Sequence, residues 1–285
     1  MSTRLLAVGD NVVDRYVELG FMYPGGNAVN VAVHARRVGS QTAYLGVLGT
    51  DAAGEAVLQS LRAEGVDTSL TRIVDGPNAS ADVYVQDGNR VFGRGLPGVS
   101  RFTLTPQDLA AAGRYDVVHT GECSHVEAQL PTLATAARRL SFDFSERPWD
   151  YVREHAPHVD IAIASCPSGD RDDAAARADE LRSLGPRTVA VTLGAAGAVL
   201  LGPDGLVSSP AGDVRVVDTL GAGDAFIARL LHGLIHHEPP RQLLPAATAY
   251  ASAACASYGA FGYRTQLSTT DDQALSGTNA RWETS

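Results

Sequence analysis

The run Asp218-Thr219-Leu220-Gly221-Ala222-Gly223-Asp224-Ala225-Phe226 joins a carboxylate to a set of bare amides. Phe226, Ile227, Leu230, Leu231 and Leu234 recur at helical spacing behind it, so the run opens a helix that packs against a sheet. First-turn N–H groups lack intrahelical partners, and small residues ahead of them leave room for an anion. Asp224 in that turn could take a proton from an attacking hydroxyl while the Gly221, Ala222 and Gly223 backbone holds developing phosphoryl charge. Helix capping is the plain alternative, but it would not need Gly-Ala-Gly beside the Asp.

Two further runs suit a polyhydroxyl ligand. In Gly25-Gly26-Asn27-Ala28-Val29-Asn30-Val31-Ala32 the glycines let backbone approach something small. Asn27, Asn30 and His34 then share one helix face, and the amides can bond hydroxyls in either direction. Gly9-Asp10-Asn11-Val12-Val13-Asp14 follows an apolar strand, and carboxylates at a strand's carboxyl end sit where open α/β sheets bind ligands.

These runs need a scaffold, and the sequence describes one. Predicted strands at 5–8, 42–48, 117–120, 141–144, 161–164, 188–192 and 198–201 alternate with predicted helices at 28–38, 54–64, 126–139, 171–184, 222–236 and 246–258. That rhythm means βαβ units and a mostly parallel sheet. Val12–Leu19 and Ala81–Arg94 instead alternate apolar and polar residues, the second around a turn at Asp87-Gly88-Asn89. They read as antiparallel strands of a hairpin-built flap. One domain over 1–265 is expected, with the flap drawn from about 12–19 and 81–104 and a frayed tail over 266–285.

Composition removes several chemistries. All 23 basic residues are Arg, so Schiff-base lysines and the Walker A lysine are excluded. A net charge of −9 argues against nucleic acid, and the most apolar stretch, Thr188–Leu201, is short of a bilayer span. Three scattered cysteines, Cys123, Cys166 and Cys255, read as free thiols in a reducing cytoplasm, and the first ten residues lack a secretory pattern.

Together the three runs resemble the ribokinase-like (PfkB) carbohydrate kinases. Gly25-Gly26-Asn27…Asn30 is similar to the family's N-terminal signature, and Asp218–Phe226 to its C-terminal D-T-x-G-A-G-D-x-F signature. The resemblance implies a three-layer α/β/α sandwich with a mostly parallel central sheet and a small β-strand lid. It also implies ATP as donor, Mg2+ as counter-ion and transfer of the γ-phosphate to a sugar hydroxyl. Asp224 would then be the base and the Gly221–Gly223 backbone the anion hole, while Asp10, Asn11, Asp14, Gly25, Gly26, Asn27 and Asn30 would bind the sugar. Thr192-Leu193-Gly194-x-x-Gly197 is similar to the family's nucleotide-binding strand end, and Asp143-Phe144-Ser145-Glu146-Arg147 to its D-x-N-x-R segment, with Asp143 and Arg147 toward the nucleotide. The resemblance leaves room for a monovalent cation and for a homodimer formed through the lid. No metal ligand is assigned. Ser165-Cys166-Pro167-Ser168 stands where the family carries N-x-x-E, which leaves Asp170 as a stand-in.

Within the family the chain is similar to the fructoselysine 6-kinases, on Gly9–Tyr16, Gly25–Val33, Asn89–Gly93, Tyr115–His119, Phe142–Ser145 and Asp218–Ala228. That likeness implies phosphorylation of a fructosamine at its 6-hydroxyl, with Arg90 and Phe92 of the lid meeting the substrate's amine arm. A kinase for a plain ketose, ribose or nucleoside is the neighbouring alternative. A binding regulator without turnover is the alternative from another class.

Overall fold

The computed structural model describes residues 3–86 and 89–267, with backbone alone over 85–86 and 89–92. The chain opens with β1 (Arg4–Val8), β2 (Val12–Tyr16) and β3 (Phe21–Gly25), then α1 (Asn27–Arg37). It continues through β4 (Gln41–Leu45), β5 (Val47–Leu48), α2 (Ala52–Ala63), β6 (Arg72–Ile73), β7 (Ser80–Gln86) and β8 (Asn89–Leu96). Next come α3 (Pro106–Ala112), β9 (Val117–Gly121), α4 (Leu130–Ala136), β10 (Leu140–Asp143), α5 (Trp149–His155), β11 (Ile161–Ser165) and α6 (Arg171–Ser183). The last part holds β12 (Thr188–Thr192), β13 (Ala198–Gly202), β14 (Gly205–Ser209), α7 (Ala222–Ile235), α8 (Pro240–Ala254) and β15 (Thr265–Gln266).

Among the described residues an eight-stranded sheet runs β14-β13-β12-β11-β10-β9-β1-β4. β4 through β12 pair in parallel, whereas β13 and β14 add antiparallel edge strands. Its inner strands are apolar on both faces, as Ile161-Ala-Ile-Ala and Val189-Ala-Val show, because helices cover both sides. Along β1 the pleat sends Leu5 and Ala7 into one core and Leu6 and Val8 into the other. The first core is closed by α1, α2, α7 and α8, the second by α3 to α6. Three layers result, and the carboxyl ends of β1, β9, β10, β11 and β12 all point to one edge.

A second sheet, ordered β15-β3-β2-β7-β8, stands beside that edge as the lid. Its make-up differs from the expected pair of antiparallel hairpins. β2 pairs with β7 in parallel, register Val13↔Ser80 to Tyr16↔Val83, and β3 joins antiparallel to β2. Gln266, expected to begin a tail, is paired with Phe21 instead, while 268–285 lie outside the described residues. The turn at Asp87-Gly88 also lies outside them, as do the side chains of Arg90 and Phe92. Predicted 126–139 shrinks to α4, because Pro131 sits in its first turn and Ala137 is already extended.

Candidate active site

The site begins where two helices start against each other. Gly221 caps α7 in the left-handed region at φ 73°, and a Cβ there would come within 2.5 Å of the Ala260 Cβ. Only glycine fits that turn. Ala225 N–H bonds the Gly221 carbonyl at 2.8 Å and Ala222 N–H the Thr219 carbonyl at 3.2 Å, so the amides of Gly223 and Asp224 between them precede the helical ladder. A Cβ at Gly223 would meet nothing within 4 Å, which leaves the anion side open.

Opposite lies the start of α1. Asp10, just past β1, accepts from the N–H groups of Asn27 at 2.8 Å and Ala28 at 3.2 Å, and from Ser124 Oγ at 3.1 Å. Its carboxylate caps α1 from another element and so fixes Asn27 and Asn30 in place. Gly26 must be glycine, since φ is 104° and a Cβ would lie 2.7 Å from the Asn11 Cα. Asn11, one residue on, is 1% exposed and donates to Tyr44 Oη at 3.0 Å and to the Val47 carbonyl at 2.7 Å.

Asn27 and Asn30 then meet Asp224. Asn27 Nδ2 donates to Asp224 Oδ1 at 2.8 Å, and Asn30 Nδ2 donates to Oδ2 at 2.6 Å. Asn27 Nδ2 also donates to Asp143 Oδ2 at 3.0 Å, so one amide bridges two carboxylates. Protein around Asp224 strips water from its charge and pushes its pKa up to about 7, although both asparagines pull it down. Asp143 is pushed to about 7 by the same desolvation, reinforced by the negative charges of Asp224, Glu122 and Asp10. Asp14 lies buried on β2 with its Oδ2 over Gly25, where a Cβ would approach to 2.6 Å. Asp10 and Asp143 thus lie beside Asp224, and Glu122, paired with Arg147, lies beside Asp143.

The nucleotide-side expectations divide. Thr192, Gly194 and Gly197 line a cavity of about 450 Å³ that also reaches Thr219, Ala222 and Gly223 of the anion turn. Asp143 and Arg147 do not line that cavity: Asp143 accepts from Asn27, and Arg147 pairs with Glu122 at 2.9 Å and lies over the Tyr151 ring at 5.4 Å. Reading along the chain missed the cavity's far wall, including Val214, Val216, Thr248 and Ser252. It also missed His119, Ser141 and Glu122, which show no spacing that marks chemistry.

A protein-held magnesium does not fit these residues. Ser165-Cys166-Pro167-Ser168 brings no carboxylate, and Asp170 Oδ1 caps α6 by accepting from the N–H groups of Asp172 and Asp173. Among the described residues no three His, Cys, Asp or Glu cluster as a metal cage. Among them, too, no helix is long and apolar enough to cross a membrane.

Known proteins resemble this chain in sequence and in fold. A fructosamine kinase FrlD of Bacillus subtilis is 36% identical over 266 residues, covering 91% of this chain and 93% of its own. Fructoselysine 6-kinase of Escherichia coli is 38% identical over 232 residues, 80% of this chain and 88% of its own. In structure, an Arabidopsis thaliana ribokinase complexed with ribose and ATP aligns with TM-score 0.81 at 22% identity, over 94% of this chain and 97% of its own. An aminoimidazole riboside kinase from Salmonella enterica, complexed with aminoimidazole riboside and an ATP analog, aligns with TM-score 0.73 at 25% identity, over 95% and 99%. The pfkB family carbohydrate kinase pattern matches residues 10–263, the span that carries both helix starts and the lid, and the chain belongs to that family of carbohydrate kinases.

Proposed function

We propose that the enzyme transfers the γ-phosphate of ATP to the 6-hydroxyl of a fructosamine, a fructoselysine-like Amadori compound. The observation that carries this reading is Asp224, held by Asn27 and Asn30 at the first turn of α7, between the acceptor side and a 450 Å³ cleft. ATP would lie in that cleft with its phosphates over the Gly221–Gly223 backbone, where first-turn amides and the helix dipole favour negative charge. Asp224 takes the hydroxyl proton as the oxygen attacks phosphorus, and ADP leaves. Asn30 and Asp14 would hold the sugar, across the opening left by Gly25 and Gly26.

Among the candidate acceptors we favour one that carries an amine arm at the end of the sugar away from the 6-hydroxyl. The two relatives named for fructosamine and fructoselysine support the same choice. Magnesium would ride on the nucleotide phosphates, its hard oxygen ligands, rather than on a protein cage. We place the enzyme in the cytoplasm, with β8 as the lid edge through which a homodimer would form and no monovalent-cation ligand assigned. An ADP-release assay over fructoselysine, other fructosamines, fructose, ribose and nucleosides tests the reading. The expected result is a fructosamine with the highest kcat/KM, and a preference for fructose or a nucleoside would overturn it.

A further inference from the structure

We propose that His119 is a positioning residue, locking the Asn27 amide with its NH2 toward Asp143 and Asp224 and thereby keeping Asp224 ready to accept a proton. This inference rests on Asp224 being the base. Five residues form one directed chain across β9, β10, α1 and α7. Ser141 Oγ lies 3.1 Å from His119 Nδ1, and His119 Nε2 lies 3.1 Å from Asn27 Oδ1. Asn27 Nδ2 then reaches Asp143 at 3.0 Å and Asp224 at 2.8 Å. Both His119 and Ser141 are fully buried.

The direction of the chain follows from its ends. Asn27 Nδ2 faces an oxygen of each carboxyl, and an unprotonated carboxyl oxygen only accepts, so the NH2 is the group turned toward them. Its Oδ1 therefore faces His119 and needs a donor, which makes Nε2 the protonated nitrogen. Nδ1 is left as an acceptor for the Ser141 hydroxyl. Burial holds the imidazole neutral, with its pKa lowered to about 3, so it has one donor and one acceptor at any working pH. Gly121 of β9 backs closely onto the amide. A Cβ at Gly121 would lie 2.8 Å from Asn27 Oδ1.

Without the Nε2–H, the Asn27 amide can turn over. Its Oδ1 would then repel an ionised Asp224 and accept from a protonated one. The acid form gains a hydrogen bond that the wild type denies it, and the base titrates at higher pH. The other charged groups around Asp224 are Asp10 beyond β1 and Asp143 on β10, with Glu122 after β9 and its partner Arg147 beside Asp143. None of these changes when His119 is substituted, and α1 presents only neutral amides to Asp224.

The test is the pH dependence of kcat/KM for the intact enzyme, with the best acceptor of the ADP-release screen. His119→Leu should move the acid limb up by roughly one pH unit, the scale of one hydrogen bond to a charged group. It should also lower kcat at pH 6.5 by roughly 10-fold, with KM for ATP little changed. His119→Gln, whose amide can still donate to Asn27, should restore most of the wild-type limb, which a purely structural role would not predict. Should His119→Leu fail to fold, Ser141→Ala decides instead, since it frees the imidazole tautomer and should give a smaller shift in the same direction. A folded His119→Leu or Ser141→Ala enzyme with the wild-type limb would overturn the proposal. Asp224→Asn is measured beside them: near wild-type turnover there would remove the base itself, whereas a large loss there with an unmoved His119 limb would sink only this inference.

Discussion

Both oxygens of Asp224 are already bonded to asparagine NH2 groups, which fixes where its proton-accepting lone pairs point. Asp224→Asn keeps the size of the side chain but removes the acceptor. It should lower kcat by roughly 100- to 10,000-fold, the usual worth of a general base, while calorimetry shows ATP still binding. Stability should change in the opposite sense. The folded form holds the proton up to about pH 7, against 3.8 for an ordinary Asp, so stability falls as pH rises through that window and the full cost stands above it. The variant should therefore melt higher than wild type at pH 8, by about 2–4 °C per kcal/mol regained, and the gain should fade toward pH 4. A variant that melts lower at pH 8 would show that the two asparagine bonds outweigh the desolvation. Asp224, Asn27 and Asn30 were legible in the sequence because short-range spacing placed them on helix starts. Asp10 and Asn11 were not separable there, since neighbours in a bend point opposite ways and only the fold decides which enters the core. His119 gave no signal, because one histidine in Val117-Val-His-Thr reads as core.

At the scale of elements, the anion turn depends on two glycines for different reasons. Gly221 holds a positive φ against Ala260, and Gly223 faces open space. Gly221→Ala should lower the melting temperature by several degrees and kcat by more than roughly 10-fold, since strain and overlap both fall on the α7 start. Gly223→Ala should not lower the melting temperature, because alanine is the better helix former by about 1 kcal/mol, yet its methyl should raise KM for ATP. Equal thermal losses in the two variants would contradict the division. The inner strands were readable as apolar runs, and α1, α2, α6 and α7 as periodic stretches. β3 was not, because Pro24 and Gly25 break the strand pattern in Phe21-Met-Tyr-Pro-Gly. α3 was overlooked although Thr105 and Asp108 form a full capping box, since its seven residues span too few turns to show a period.

For the whole molecule, the lid and the anion turn are tied by one buried contact. Tyr16 on β2 donates to Asp218 Oδ2 at 2.7 Å, and the same carboxylate accepts from the N–H groups of Gly259 at 2.9 Å and Leu220 at 3.0 Å. The Tyr16 ring packs edge-on to Tyr23 of the lid and Tyr258 of the loop after α8. No local pattern could announce this, because the partners stand 202 residues apart, just as the parallel β2–β7 pairing joins segments separated by a whole βαβ unit. The contact sets the lid, which carries Asp14, in a fixed place relative to the turn that receives the phosphates. Tyr16→Phe keeps the ring and removes only the hydroxyl, so about 1–3 kcal/mol of stability should be lost, the cost of an unmade buried bond. If the tie also aligns the acceptor with the γ-phosphate, kcat should fall several-fold while the Kd of ATP for the free enzyme stays within about twofold, since a misplacement of even an ångström slows transfer without weakening nucleotide binding. Thermal unfolding, steady-state rates and calorimetry on the one variant separate these effects. A lowered melting temperature with unchanged kcat would assign the Tyr16–Asp218 bond to holding the lid on, and not to aiming it.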